Sequence, residues 1–479
     1  MNRTSIDSLS RASEWQGLHA LVVGLGVAGF AAADAMMHLG AHVTIIDAQE
    51  SEKARERATI LEILGADIRF GDDEHLPEGV ELVVLSPGVS PLAPIVVAAK
   101  QAGLPIWGEL ELAWRLRDPN HSAPWLVITG TNGKTTTTLM LESILQTSGR
   151  RSVAAGNIGR SLVEVMMDPQ PWDALAVEVG APQLPFVESM SPQASVCLNI
   201  APDHIDLFGS FDAYRAAKAK IYERTQVAAI FNEADPETMH MVEDADVVEG
   251  CRAIGLTLGI PDVSMLGVVD EFLVDRAFLD NRRESALELA EITDLAIPAR
   301  HNIENALAAS ALARAHGVDA RHIRDGLRAW KPAPHRIAHV ATINEVTYID
   351  DSKATNTHAA LTSIKAYESI VWIAGGMAKG QDFDEMILAI AAKLRGVVLL
   401  GVDQEVIAAA LERHAPNVPI TRVTSQETNA MEIVVQSAAD MAQAGDTVLL
   451  APGCASWDMY RDYGHRGDEF AAAVRQLEK

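Results

Sequence analysis

The heptapeptide Gly130-Thr131-Asn132-Gly133-Lys134-Thr135-Thr136 lies between the apolar run WLVI and the helix-like stretch TTLMLESIL. A strand that turns through glycines into a helix aims several backbone N–H groups at one point, and the helix dipole reinforces them. Such a nest suits a phosphate. Lys134 adds positive charge, and the Thr135 hydroxyl suits a divalent cation. The usual motif G-x-x-x-x-G-K-[ST] opens with a glycine where this chain has Ile128, so GTNGKTT is a shortened form. The alternative is a glycine-rich turn with an exposed lysine.

A nucleoside triphosphate arrives with a divalent cation, so hard oxygen ligands are expected at nearby strand ends. Glu178 closes the run ALAVE, and Asp203-His204-Ile205-Asp206 follows ASVCLNI. Both can project from the carboxyl edge of one parallel sheet, where such sheets bind ligands. Taken singly, each could be structural. Lys218, in YRAAKAKIYER, reads by itself as a solvated surface charge.

The last third of the chain repeats the pattern of polar loops after apolar runs. Asp350-Asp351-Ser352-Lys353-Ala354-Thr355-Asn356 follows VTYI, GGMAKG with Lys379 follows SIVWIA, and PGCAS with Ser456 follows TVLLA. At one sheet edge these loops would form a polar pocket with two cations, suited to a small dicarboxylate or phosphates. Each loop alone could be a helix-capping turn.

Near the amino terminus, ALVVGLGVAGF places Gly24, Gly26 and Gly29 in the spacing G-x-G-x-x-G, with Asp47 closing the next run, VTIID. That pattern fits a diphosphate site with a ribose-binding carboxylate and, alone, suggests a nicotinamide-dependent dehydrogenase. A dehydrogenase leaves GTNGKTT and the later loops unexplained.

The elements that must position these groups follow a β–α rhythm along the whole chain. Strand-like runs recur at ALVVGLG, HVTIID, ADIRF, LVVLSPG and PIWGE, again at ALAVEVG, ASVCLNI, VAAIFN and CRAIGLTLG, and again from VTYIDDS to TVLLAPG. This alternation predicts parallel sheets. A charged helix is expected around 211–226, and HNIENALAASALARAHG predicts an alanine-rich helix capped by Gly317. The polar stretch RDPNHSAP (117–124) and KPAPHR (331–336) read as breaks. The chain of 479 residues therefore partitions as 1–118, 119–330 and 331–479: a Rossmann-like domain, a central ATPase-like parallel-sheet domain and a second Rossmann-like domain.

The balance of 65 acidic against 39 basic residues, a net charge of -26, argues against sequence-independent nucleic-acid binding. The three cysteines are in no metal-ligand spacing, the first residues are polar, and Asp34 interrupts the longest apolar run. The expectation is a cytoplasmic protein with no membrane segment.

GTNGKTT, the Glu178 strand end, DHID, YRAAK, HNIEN, PHR, DDSKATN, GGMAKG and CASWDMYRDYGHRGDEF occur in this order, and together they resemble the Mur ligases of peptidoglycan synthesis. DSKATN followed by CAS…RGDEF is similar to the member that adds D-glutamate. The resemblance implies an ATP-dependent amide ligase with UDP-N-acetylmuramoyl-L-alanine and D-glutamate as substrates, acting as a monomer through an acyl phosphate. It also implies two Mg²⁺ ions and a carbamylated Lys218.

Position by position, the resemblance puts Gly130, Thr131, Asn132, Gly133, Lys134, Thr135 and Thr136 around the ATP phosphates. Asn302 and Asn305 fall at the adenine, Asp351 at the ribose and Arg336 at the γ-phosphate. Thr135, Glu178, His204 and Lys218 match metal positions, with Lys134, His204, Lys218 and Arg336 as the catalytic set. Gly26, Val27, Ala28, Asp47, Ser86, Pro87, Gly88, Asn157 and Gln183 fall at the UDP-substrate, and Lys353, Thr355, Lys379, Ser456 and Tyr463 at the amino acid. The chain departs from the family's Ser-Ser-Phe-Gln-like pattern with Val179-Gly180-Ala181-Pro182-Gln183, and has Tyr463 where a phenylalanine is expected. A related ligase with a different amino acid, such as one resembling folylpolyglutamate synthase, and a non-catalytic nucleotide-binding protein remain as alternatives.

Overall fold

The runs HALVV, HVTIID and LVVL are apolar on both faces, and a strand buried on both faces belongs in a parallel sheet covered by helices. In the computed structural model they become β1 (His19–Val23), β2 (His42–Asp47) and β4 (Leu82–Leu85), joined by β3 (Asp67–Phe70) and β5 (Ile106–Gly108). The sheet is parallel throughout, in the order β3-β2-β1-β4-β5. The model describes residues 6–72, 75–118, 120–332, 335–424 and 429–477, apart from the Asp206 side chain. Pro119 of the first expected break and Ala333 and Pro334 of the second lie outside the described residues.

A second sheet holds β6 (Trp125–Thr129), β7 (Ser152–Gly156), β8 (Ala174–Glu178), β9 (Ala194–Cys197), β10 (Ala228–Asn232), β11 (Arg252–Leu256), β12 (Met265–Val269), β13 (Phe272–Asp275) and β14 (Leu287–Glu291). Its order is β14-β13-β12-β11-β10-β9-β6-β8-β7. The parallel part matches the sequence reading, whereas the antiparallel β12–β14 was not foreseen. Strand β14 mixes exposed and buried positions, and β12 and β13 are short apolar runs joined by a tight turn in place of a crossover helix.

Two buried glutamates join the first two sheets. Glu109 accepts from the Ser161 hydroxyl at 2.5 Å and the Leu162 amide at 2.9 Å. Glu111 accepts from the Ser189 hydroxyl and the amides of Glu188 and Ser189. Trp114 packs edge-on against Trp125 with ring centroids 5.1 Å apart. Residues 1–202 and 207–331 accordingly form one compact unit.

The helix expected around 211–226 stops at Ala219 and continues as a single 3-10 turn to Tyr222. The Tyr222 hydroxyl accepts from the Cys197 amide and donates to the Ile230 carbonyl, and Arg224 turns left-handed at φ 58°. Those anchors end the helix early. The alanine-rich helix runs from Arg300 to Ala315, with Gly317 at φ 79° just beyond it.

The other unit comprises 203–206 and 332–479. Its sheet contains β15 (Ala338–Ile343), β16 (Val346–Asp350), β17 (Ile370–Gly375), β18 (Leu394–Leu400), β19 (Ile420–Arg422) and β20 (Thr447–Leu450), in the order β15-β16-β20-β17-β18-β19. Among the described residues of this sheet, only the β15–β16 hairpin, also unforeseen, is antiparallel. Among the described residues no helix is long and apolar enough to cross a membrane.

Candidate active site

Gly130, at φ 150°, ends β6, and Gly133, at φ 85°, starts the helix Lys134–Thr147. A Cβ at Gly133 would collide with Oδ1 of Asn305, so that position requires glycine for space as well as conformation. Lys134 folds back over the loop and donates to the carbonyls of Gly130 (2.8 Å) and Thr131 (2.9 Å). Lys218 is 1% exposed and donates to the same Gly130 carbonyl at 2.8 Å and to the Thr129 hydroxyl at 3.4 Å. The solvated-surface reading of Lys218 is therefore replaced: its helix carries it beneath the loop. The Asn132 amide donates to Oδ1 of Asn199, and the Thr131 hydroxyl meets the Tyr214 hydroxyl at 3.0 Å. Thr135 and Thr136 are buried in the first helical turn.

Beside this loop lies a cleft of about 350 Å³, lined by Asn199, Asn232, Glu233, Thr257, Arg300, Glu304 and Asn305 among others. Asn302 donates to the Ile297 carbonyl and sits 3.5 Å from the Asn305 amide nitrogen, holding Asn305 in place. Sequence reasoning missed Asn199, Asn232 and Glu304. The first two follow or end the runs of β9 and β10, the same signal that singled out Glu178.

Glu178 ends β8 with its carboxylate buried. The Asn157 side-chain amide donates to its Oε1 at 3.0 Å, while Oε2 is buried with no hydrogen-bond partner among the described residues. A buried carboxylate oxygen in that condition fits a cation. Gln183 Oε1 accepts from the Gly180 amide at 2.8 Å, which leaves its buried Nε2 unpartnered among the described residues. A Cβ at Gly180 would touch Gln183 Oε1 and Asn157 Oδ1 at 3.3 and 3.4 Å, so glycine there leaves those two amides room.

A larger cleft, about 680 Å³, opens at the carboxyl ends of β1 and β4, where the strand order reverses. Gly26, Val27, Ala28, Asp47, Ser86, Pro87, Gly88 and Asn157 all line it, and Gln183 does not. Gly24 turns at φ 91°, and a Cβ on Gly29 would run into the Gly24 carbonyl oxygen. Asp47 accepts from the amides of Leu25 (2.6 Å) and Gln49 (2.9 Å), bracing the loop. Glu109 and Ser161 also line this cleft and were missed; burial raises the Glu109 carboxyl above its usual range.

In the other unit, three loops meet at the carboxyl edge of adjacent strands β16, β20 and β17. Arg466, 1% exposed, ties them together. Its Nε donates to the Ser352 hydroxyl (2.9 Å), Nη2 to the Ser352 carbonyl (2.8 Å), and Nη1 to the carbonyls of Cys454 (3.1 Å) and Gly375 (3.4 Å). Lys353 lies 3.8 Å from the Tyr463 ring centroid, and Lys379 lies 4.5 Å from that of Trp457. Ser456 is buried beside Trp457, and Thr355 donates its amide to the Lys353 carbonyl. Arg466 sits inside the RGDEF motif but offered no sequence signal for this role.

Arg336 keeps a buried Nε with no hydrogen-bond partner among the described residues. Burial pushes the Asp351 carboxyl up to about 6, against the pull of Arg336. His204, left-handed at φ 53°, donates its backbone amide to Asp203. Residues 203–206 group with this unit, so His204 belongs to a different unit from Glu178 and Lys218. Among the described residues no cluster of three or more His, Cys, Asp and Glu side chains is assembled.

Comparison with known proteins matches three successive models to the chain: the Mur ligase MurD-like N-terminal domain at 18–108, the Mur ligase middle domain at 128–313 and the Mur ligase glutamate ligase domain at 335–454. The chain is 55% identical over 465 residues to a UDP-N-acetylmuramoylalanine--D-glutamate ligase of Streptomyces avermitilis, covering 97% of this chain and 99% of that protein. It is 40% identical to the ligase of the same name from Mycolicibacterium smegmatis, covering 96% and 97%. Among solved structures, UDP-N-acetylmuramate-alanine ligase MurC from Thermotoga maritima shares the fold, with a TM-score of 0.56, 18% identity and coverage of 96% and 100%. The folds and the order of the loops agree with those matches, and the chain belongs to the Mur ligase family, within its UDP-N-acetylmuramoylalanine--D-glutamate ligases.

Proposed function

We propose that this protein joins D-glutamate to UDP-N-acetylmuramoyl-L-alanine at the expense of ATP, with 1–118, 119–330 and 331–479 serving the UDP-sugar, ATP and the amino acid in turn. The observation that carries this reading is the near full-length identity to ligases of that name. Lys134, folded back over the loop, supports it, because its ammonium group prepares the loop for an anion.

On this reading the loop Gly130–Thr136 cradles the β- and γ-phosphates, with Lys134 and Arg336 offsetting their charge. The cleft at Asn305 takes the adenine, Asn302 steadies Asn305, and Asp351 serves the ribose. The cleft at Gly26–Ala28, Asp47 and Ser86–Gly88 takes the UDP-sugar, with Asn157 and Gln183 toward its alanyl end. The alanyl carboxylate attacks the γ-phosphorus, giving an acyl phosphate and ADP. The amine of D-glutamate, held by Lys353, Thr355, Lys379, Ser456 and Tyr463, then attacks the acyl carbon and phosphate leaves. Positioning and charge neutralisation supply most of such a rate enhancement.

The orphaned Glu178 Oε2 fits a divalent cation. Thr135, Glu178, His204 and a carbamylated Lys218 would hold two Mg²⁺ ions, which when bound neutralise charge on the transferring phosphoryl group. The setting proposed is the cytoplasm, with the chain acting as a monomer, which sedimentation velocity checks.

The deciding assay is phosphate release from ATP. It should require both UDP-N-acetylmuramoyl-L-alanine and D-glutamate. Equal rates with L-glutamate, L-alanine or a diamino acid would overturn the substrate assignment.

A further inference from the structure

Strand β20 lies between β16 and β17, and the segment that follows it contributes Ser456, Trp457 and Tyr463. The loop after β16 carries Lys353 and the loop after β17 carries Lys379. Each flanking lysine is thus paired with one ring from the central segment: Lys353 with Tyr463 at 3.8 Å and Lys379 with Trp457 at 4.5 Å. An ammonium group is attracted to the face of an aromatic ring at such distances.

Trp457 is 65% exposed, so its ring face is open to the Lys379 ammonium group. The backbone around both partners is firmly set. Met377 and Ala455 exchange amide-to-carbonyl bonds of 2.9 Å in both directions, two residues before Lys379 and Trp457 respectively. Asp403 accepts from the Ala378 amide, Asp458 accepts from the Val402 amide, and Lys379 itself holds a left-handed φ of 53°. On the other side, the Ser352 hydroxyl donates to the Tyr463 carbonyl at 2.8 Å, fixing the ring's backbone beside Lys353.

We propose that Trp457 and Tyr463 are positioning residues, whose ring faces hold the ammonium groups of Lys379 and Lys353 as a preset pair of cations for the two carboxylates of the amino-acid substrate. The inference rests on the function proposed above and deepens it. Lysine has a long, rotamer-rich side chain, and ordering it on binding costs affinity. Rings that hold the ammonium groups beforehand remove part of that cost. A dicarboxylate then meets two cations at a set separation, whereas a monocarboxylate engages one.

The test is steady-state kinetics on the full chain with Trp457→Leu, Tyr463→Leu and the conservative Trp457→Phe and Tyr463→Phe. Each leucine variant should raise the KM for D-glutamate about two- to tenfold, a range set by the strength of a cation–aromatic contact. The KM values for ATP and the UDP-linked acceptor should stay within about twofold, and the phenylalanine variants should recover most of the loss. In lysine-labelled protein, NMR should show side-chain methylene signals shifted upfield by the rings, one lost in each leucine variant. An unchanged D-glutamate KM in both leucine variants, a uniform rise for all three substrates, or no ring-shifted lysine signal in the unaltered protein overturns the proposal. If the unaltered protein shows the shifted signals yet does not ligate D-glutamate, the proposed function fails first and this inference falls with it.

Discussion

Lys134 and Lys218 donate to one and the same oxygen, the Gly130 carbonyl, each at 2.8 Å, although they come from helices far apart in the chain. Two ammonium groups on one neutral acceptor repel each other, a crowding that a triphosphate beside Lys134 or carbamylation of Lys218 would relieve.

The first prediction follows from that pair. Lys134→Ala removes a charge that acts mainly on the transferring phosphoryl group, so kcat should fall by about 10²–10³. Thermal stability should change little, because the Lys134 ammonium donates to carbonyls of its own loop. If Lys218 is carbamylated, activity should drop in buffer stripped of carbon dioxide and return with bicarbonate, while Lys218→Arg stays inactive. A Lys134→Ala rate within twofold of the unaltered protein would sink the assignment.

Glu178 offers a sharper contrast. Its Oε2 has no hydrogen-bond partner among the described residues, while Asn157 satisfies Oε1. Glu178→Gln keeps the shape and removes a buried charge, so stability without divalent ions should hold or rise. The rate should fall on the order of 10²-fold and the Mg²⁺ requirement should rise. Calorimetric titration with Mn²⁺ and a magnesium-dependent rate curve check this. Unaltered magnesium dependence would show that Glu178 does not bind the ion.

Two glycines of the first loop should separate folding from binding. At Gly29 a Cβ would collide with the Gly24 carbonyl oxygen, whereas at Gly26 a Cβ meets nothing within 4 Å. Gly26 also has an ordinary φ of −71° and lines the large cleft. Gly26→Ala should therefore fold normally and raise the KM for the UDP-linked acceptor about tenfold through crowding of the diphosphate. Gly29→Ala should cost about 3 kcal/mol or more in stability. Melting curves with acceptor kinetics distinguish the two; equal behaviour would undo the argument.

What the sequence disclosed and what it withheld divide along physical lines. Strands β1, β6, β8 and β17 are buried on both faces and read as unbroken apolar runs, so the loops after them stood out together with Lys134, Glu178 and Lys379. Strands β14 and β15 mix exposed with buried positions, and β12 joins β13 through a tight turn instead of a helix, so the β–α rhythm concealed them. Lys218 read as a surface charge because a lysine's burial depends on where its helix docks, which local sequence does not encode. Asn199 and Asn232 carried the strand-end signal but as neutral side chains drew no attention. Glu109 and Glu111 act through partners some 50 to 80 residues away, beyond any spacing rule.

Asp351 sets a pH dependence. Burial raises its carboxyl from 3.8 to about 6 in the folded state. Between those values the folded chain holds a proton that the unfolded chain has released, so its contribution to stability declines as pH rises and is lost above about 6. Asp351→Asn should accordingly raise the melting temperature at pH 7–8 and change it little near pH 4. The ionised carboxylate is the better acceptor for ribose hydroxyls, so the KM for ATP should fall as pH climbs through about 6, and the variant should flatten that profile. A profile with the same inflection in Asp351→Asn would assign the titration elsewhere.

Arg466 makes the strongest structural demand in the second unit. Burial pushes the guanidinium down to about 10, yet it stays charged at neutral pH and spends that charge on three loops at once. Arg466→Met fills similar volume but strands the Ser352 and Cys454 carbonyls, each a buried acceptor worth about 1–3 kcal/mol when unsatisfied. Arg466→Lys keeps the charge and can reach only one or two of the same oxygens, because its donors do not fan out in a plane. Both should therefore lower stability, methionine by about 2–4 kcal/mol and lysine by less. The functional cost should fall on D-glutamate, since Ser352 adjoins Lys353 and Cys454 lies two residues from Ser456. Its KM should rise well before that for the UDP-linked acceptor moves, because the large cleft lies wholly in the other unit. Denaturant unfolding with substrate-by-substrate kinetics reads both effects. A Met variant as stable as the unaltered chain, or one that loses acceptor and D-glutamate affinity alike, would show that the three loops hold together without this side chain.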